Sequence, residues 1–440
     1  MVSNAESVKP AWTSDQGSMA LRTAQSLWPK VVQDTIDDVS STSKSISPSP
    51  RLEELKSIQG RLESLQTEII NDVELSPLDD DGSPDISAYN QQLDDLGGVT
   101  WHNCPWLYGE CYMYRRIQLM FSMSTSWREY DFFHSQKHSF LVTSQPGIEH
   151  LAIKYIPILA SPDKFLKSLD DNKATAVFLD MVHLALWGNA ADSSLFADLS
   201  FAEIQALHRQ PAIDKMEEFI VDNDTLEAWE YLRDGRETKP ERHIDLVLDN
   251  AGFELFTDLV FAAYLIESDL ATSVTLHVKL FPWFINDATP KDMNILLESL
   301  QSNGVTFLAS LIKRYISRGI LHIKSDAFWT TAFSFPEMKE QAPKLFQRLQ
   351  DSHLTIWKGD LNYRKLTNDG LWPHTAPFKS ALGCLGQGSE IKVLALSMNR
   401  SGTCVGIESE ERVESLDREA PESSWIRDGT HAVVSFSNGL

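Results

Sequence analysis

The stretch His243-Ile244-Asp245-Leu246-Val247-Leu248-Asp249-Asn250-Ala251-Gly252-Phe253-Glu254 decides the fold. An apolar run of strand length passes directly into an Asp-Asn pair, then a Gly, then a Glu where a helical pattern begins. That handover from strand to helix is the unit of an open parallel sheet, and such sheets bind ligands outside the C-terminal ends of their strands. Oxygen donors from Asp and Asn suit Mg, Mn and similar divalent ions. The same residues are also ordinary turn formers, so alone they read equally well as an Asx turn closing a strand. The residues at the ends of the other strands separate the two readings.

Downstream of 244 the texture is an alternation. Strands are expected at 244–248, 273–278, 320–323, 354–357, 393–396 and 432–436, with helical patterns at 256–266, 290–300, 305–318, 336–349 and 377–382. Strands separated by helices imply βαβ units, hence an α/β fold: a three-layer α/β/α sandwich with a mainly parallel sheet. Upstream, apolar residues recur at helical spacing over 18–39 and 52–70, and aromatic or apolar helices are expected at 106–123 and 174–187. The run Asp79-Asp80-Asp81-Gly82-Ser83-Pro84 reads as a solvated loop. The chain is thus expected to divide into a disordered 1–17, a mostly helical 18–240, and an α/β/α domain over 241–440.

With 39 Lys and Arg against 62 Asp and Glu in 440 residues, the formal charge is −23. Nucleic acid and anionic membranes are therefore excluded as expected partners, and any phosphate recognition must come from a local ion or a few local cations. Four cysteines without a CxxC pair give neither a disulfide framework nor a zinc or redox motif; Cys104 and Cys111 read as core thiols. No basic segment leads into an apolar run near Met1, and no apolar stretch approaches membrane length, so a cytoplasmic protein is expected.

The strand ends carry the functional signal. The first ends in Asp249-Asn250. The second leads through His277, Lys279 and Phe281-Pro282-Trp283-Phe284 to Asn286-Asp287. The fourth leads to Lys358-Gly359-Asp360-Leu361-Asn362-Tyr363-Arg364-Lys365, and the fifth to Ser397-Met398-Asn399-Arg400. In a parallel sheet these converge on one rim. Asp249, Asn250 and Asp287 would hold a divalent ion, and Arg364, Lys365 and Arg400 would clamp an anion, the arrangement expected for hydrolysing a small phosphorylated molecule. His277 reads as a satisfied core histidine. Glu110, Arg115 and Arg116 either reach the site or form salt bridges. Asn189 and Asp192 come after an expected helix end at Gly188, as a lid or a cap.

These segments, with Trp106-Leu107-Tyr108-Gly109-Glu110-Cys111-Tyr112-Met113-Tyr114-Arg115-Arg116 and Leu186-Trp187-Gly188-Asn189-Ala190-Ala191-Asp192, make the chain resemble the metal-dependent damage-control phosphatases of the domain of unknown function 89. The branch is the sugar-phosphate-acting one, also described as an acidic-residue methyltransferase. The resemblance implies Asp249, Asn250 and Asp287 as metal ligands. It implies Glu254 as a catalytic and substrate-contacting residue, and Asp360, Leu361, Asn362, Tyr363 and Arg364 as substrate contacts. Mn, Co or Ni is the implied ion, with Mg also allowed.

One segment departs from the branch. Its Arg-Thr-x-Lys signature reads Ser397-Met398-Asn399-Arg400 here, and Arg for Lys is not a neutral exchange at a phosphate site. With Met398 expected at the pocket mouth, a substrate less hydrophilic than a simple sugar phosphate is expected. The alternatives are ionisation of an organic diphosphate in lyase or cyclase fashion, an S-adenosylmethionine-dependent carboxyl methyltransferase, and a catalytically weakened binding protein. The first strand of the sheet leads into no Gly-rich loop that could cradle a nucleoside cofactor, which counts against the methyltransferase.

Overall fold

The computed structural model describes residues 8–192 and 217–440. Its centre is a seven-stranded sheet: β1 (Ile220–Asn223), β2 (His243–Val247), β3 (Ser273–Val278), β4 (Leu321–Ser325), β5 (Leu354–Lys358), β6 (Val393–Met398) and β7 (Ala432–Ser437). The spatial order is β1-β7-β6-β5-β2-β3-β4. From β6 through β4 every pairing is parallel; β7 runs antiparallel to β6, and β1 is parallel to β7. The chain moves outward from β2 to β3 and β4, then returns to the other side of β2 as β5. Strand order therefore reverses between β2 and β5, and a crevice opens there at their C-terminal ends.

Alternation of side chains along the strands builds two cores. Leu246, Leu248, Leu276, Ile356 and Leu396 face a layer containing the helices Gln145–Ala160, Asp171–Asp192 and Phe253–Glu267. Val247, Trp357, Ala395 and Val433 face the opposite layer, with Phe335, Tyr363, Leu366 and Trp425. A third core joins the helices Trp28–Lys44, Pro50–Ile70, Ile86–Leu96 and Trp106–Ser122, and it takes in Trp283 and Leu361 from the sheet's C-terminal rim. The helical region thus caps the edge where the polar strand ends emerge.

Several expectations are corrected. β1 lies on the helical side of the expected boundary at 240/241 yet belongs to the sheet. Within the stretch expected to be disordered, residues 1–7 lie outside the described residues, but Pro10 bridges Gly370, Trp12 bridges Pro105, and Thr13 is fully buried. Asp81 is not solvated: Arg115 donates to both its carboxylate oxygens at 3.0 Å. Burial works against that carboxylate, but Arg115 and Ser122 hold it at about 2. Gly188 caps nothing, because its helix continues to Asp192. A Cβ there would lie 2.2 Å from Thr257 Oγ1, so the glycine permits close approach of two helices. The side chains of Asn189 and Asp192 lie outside the described residues.

Candidate active site

After β2 the backbone does not simply turn away. Asn250 and Asp287 form an antiparallel bridge, flanked by Ala251 N–H to Asn286 O at 2.7 Å and Ala288 N–H to Asp249 O at 2.8 Å. This short ladder beyond the parallel strands fixes Asp287 beside the Asp-Asn pair. The loop that delivers Asp287 is closed at its base by Lys279 N–H to Ala288 O at 2.8 Å. It adopts positive φ at two non-glycine residues, Phe284 (41°) and Ile285 (68°). Such backbone costs about 1–2 kcal/mol per residue. Aromatic packing offsets it: Trp283 is fully buried, and Phe284 stacks on Tyr114 of the aromatic helix with centroids 4.6 Å apart.

Buried cations and carboxylates surround the pair. Asn250 Nδ2 donates to Asp249 Oδ2 at 3.0 Å and to Glu254 Oε2 at 2.8 Å, leaving its carbonyl oxygen as the end an ion can use. Lys358 Nζ donates to Glu254 Oε1 at 2.9 Å and Asp258 Oδ1 at 2.7 Å. Lys279 Nζ lies 3.0 Å from Asp287 Oδ2 and donates to Leu248 O at 3.1 Å. Burial, with Glu254 and Asp287 nearby, pushes the Asp249 carboxyl well above its ordinary range. Burial also raises Asp287, although Lys279 pulls the other way. Asp258 is pushed up to about 7 by burial despite Lys358.

The carboxylates Asp249, Glu254, Asp258 and Asp287 are all buried, and among the described residues the ion pairs to them come from two buried ammonium groups, Lys279 and Lys358. A divalent cation would cancel that excess, and two carboxylates with a carboxamide form a hard oxygen set that suits one. Among the described residues no three His, Cys, Asp or Glu side chains converge as a metal cage, so the set depends on Asn250.

Asp249, Asn250 and Asp287 line a cavity of about 260 Å³ together with Asn286, Asp360, Leu361, Arg364, Arg400 and Ser401. Its remaining lining comes from Trp106, Glu110, Phe284, Met19, Thr23 and Leu27. Asp360 binds the mouth together, accepting from Arg400 N–H at 3.3 Å and Ser401 Oγ at 2.8 Å. Burial raises its carboxyl, with Arg364, Ser401 and Arg400 opposing. Among the buried polar atoms of the lining residues, Trp106 Nε1, Asn286 Oδ1 and Arg400 Nε have no hydrogen-bond partner, and Asp287 Oδ2 has only the ion pair with Lys279.

Other expected residues stand elsewhere. Arg364 lines the cavity but is committed: it pairs with Asp369 at 2.8 and 3.0 Å and with Glu110 at 2.8 Å, and it stacks 3.9 Å over Trp106. Lys365 is not part of a clamp, because its ammonium donates to Thr331 O at 2.6 Å. Asn362 ties Leu248 O to Lys358 O, and the Tyr363 hydroxyl accepts from Val405 N–H, so both lie behind the wall. Glu254 lies behind Asn250 and orients it.

Met398 is 1% exposed in the sheet core and Ser397 is equally buried; neither lines the cavity. The expected apolar mouth at Met398 is thus overturned, and Arg400 alone of that segment reaches the site. Arg115 and Arg116 are engaged by Asp81, Asp85 and Glu68. His277 is a core histidine bonded to Asp245 at 2.6 Å. Sequence reasoning missed Asp258 and the wall at Met19, Thr23 and Leu27.

The family model described as the damage-control phosphatase ARMT1-like domain matches residues 23–416. The chain is 30% identical to damage-control phosphatase ARMT1 of Mus musculus over 449 residues, covering 98% of this chain and 99% of the relative. It is 32% identical to the protein of the same name from Danio rerio, covering 81% and 80%, and 31% identical to that of Homo sapiens, covering 86% of each. A solved structure of a DUF89 family protein from Pyrococcus horikoshii matches 95% of this chain at 12% identity with a TM-score of 0.44, too distant to bear on the fold.

Proposed function

The chain belongs to the damage-control phosphatase ARMT1-like family, and from that premise we propose that it is a metal-dependent phosphohydrolase acting on a small organic phosphate ester. The observation that carries this reading is the pair Asp249 and Asp287, locked side by side at the strand-order reversal in a pocket with more buried carboxylate than lysine. Asp249, Asn250 and Asp287 are the residues that would hold the ion, a divalent transition metal such as Mn, Co or Ni, or Mg. When bound, such an ion polarises a phosphoryl oxygen and makes a water more acidic.

The chain's own groups do the rest. Arg400, partly exposed at the mouth with an unpartnered Nε, takes a phosphate oxygen and stabilises charge building on it. Asn286, in the lining, keeps a buried carbonyl oxygen without a partner, an acceptor that a water or substrate hydroxyl would satisfy. Glu254, held by Lys358, is a positioning residue that turns the Asn250 carbonyl outward. Arg364 is neutralised by two carboxylates and stiffens the wall rather than attracting substrate.

A phosphate-release screen over small esters with added Mn, Co, Ni or Mg tests the reading. The expected result is release that requires one of these ions and stops with chelator. Release unaffected by chelator, or none from any ester, would overturn it.

A further inference from the structure

Opposite the charged rim, the cavity is roofed by a segment outside the sandwich: the helix Met19–Arg22 and the π-helical turn Thr23–Leu27. The Trp28 N–H donates to Thr23 O, closing the wide turn. Pro29 explains it, because proline has no N–H for the preceding turn and its ring crowds the carbonyl of residue 25. A spacing of four residues runs ahead of an α-helical turn and falls short of a π turn. The widening therefore offsets the drift and brings Met19, Thr23 and Leu27 onto one side, where all three line the cavity.

Charge is divided across that cavity. Asp249, Asp287, Asp360, Arg400, Arg364 and Glu110 lie on the floor and walls, whereas the roof residues carry none. Leu27 is 45% exposed there, a large apolar side chain left beside a cluster of buried ions. The roof is anchored through Trp28. Trp28 is fully buried, and a Cβ on Gly109 of the aromatic helix would stand 2.8 Å from its ring.

We propose that Met19 and Leu27 determine specificity: they receive the carbon body of the substrate while the rim takes its phosphate, which selects esters with a compact apolar or aromatic body. This rests on the phosphohydrolase reading for the phosphate end alone. At about 260 Å³ the space is below the range of drug-sized pockets, so the body is small. Contact with Leu27 and Met19 removes apolar surface from water, whereas sugar hydroxyls placed there would lose hydrogen bonds.

Calorimetry on the Mn-loaded full chain, with phenylphosphonate and inorganic phosphate as probes, tests the proposal. Leu27→Asn should weaken phenylphosphonate about tenfold and leave phosphate unchanged, while Leu27→Met keeps both. Should Leu27→Asn fail to fold, Met19→Gln reads the same ratio. An unchanged phenylphosphonate affinity, or equal weakening of both probes, would overturn the roof's role. Selective weakening in a protein that releases phosphate from no ester would uphold the roof and overturn the phosphohydrolase reading. Binding of neither probe would overturn both.

Discussion

At Gly359 the backbone takes φ +83°, and a Cβ would stand 1.9 Å from Asp249 Oδ2. The metal-site carboxylate therefore rests on bare backbone where the helix Gly359–Leu366 starts, a position only glycine allows. The two cavity arginines show how burial sorts similar residues. Arg364 is 3% exposed and paired with Asp369 and Glu110; Arg400 is partly exposed with an unpartnered Nε. Removing Arg364 strands two buried carboxylates and should cost about 3–5 kcal/mol. Arg400→Ala should change stability by less than about 1 kcal/mol but weaken inhibition by free phosphate about tenfold. Paired urea melts and phosphate titrations check this. Unchanged phosphate inhibition in Arg400→Ala would remove that residue from the site, and an unchanged melt in Arg364→Ala would refute the network.

Elements differ in how plainly the sequence announces them. The strands at β2 to β7 were legible because their apolar runs end in Gly, Pro, Asn or Asp. β1 was not: Ile220-Val221-Asp222-Asn223 is short and half polar, and it joins the sheet only by pairing with β7. The helix Gly359–Leu366 was hidden because Gly-Asp-Leu-Asn-Tyr-Arg-Lys is polar and begins with a helix breaker, yet its polar side chains are satisfied by other segments: Asp360 by Ser401, Asn362 by Leu248 O, Arg364 by Glu110 and Asp369, Lys365 by Thr331 O. Met398 misled because it ends β6 inside the sheet core, beneath Arg400, whose Nη2 lies 3.8 Å from its sulfur, so only the longer Arg400 side chain reaches the cavity.

β1 also carries a titrating group. Asp222 accepts from the Ser435 hydroxyl and packs on Gly406, and burial with Asp224 nearby pushes its carboxyl up to about 8. The folded chain then keeps a proton that the unfolded chain, titrating at about 3.9, releases. Stability should fall as pH rises from about 4 towards 8, because the unfolded state binds fewer protons across that window. Asp222→Asn should flatten this dependence, so its melting temperature gains on wild type as pH rises from 5 to 8. Parallel melting curves across that range would contradict the buried, protonated carboxyl.

On the scale of the whole molecule, the site exists only between two bodies of structure. The sandwich supplies the charged rim, and the helical region supplies the roof and pins the Asp287 loop through Tyr114. The rim was readable because strand ends in a parallel sheet must converge. The roof was not, since Met19, Thr23 and Leu27 look like any helix face until the fold sets them over Asp249. The charge excess in that crevice makes the central claim directly testable. Burial disfavours the charged forms of Asp249 and Asp287, with Glu254 adding to the penalty at both, a cost that a bound divalent ion would relieve. Asp249→Asn removes one of those charges with little change of shape. Calorimetric titration of Mn into this variant and wild type, with melting in chelator alongside, is the decisive measurement. Wild type should bind Mn and the variant should not, while the variant should melt no lower than metal-free wild type. Mn binding by Asp249→Asn at wild-type affinity would contradict the metal site at these residues.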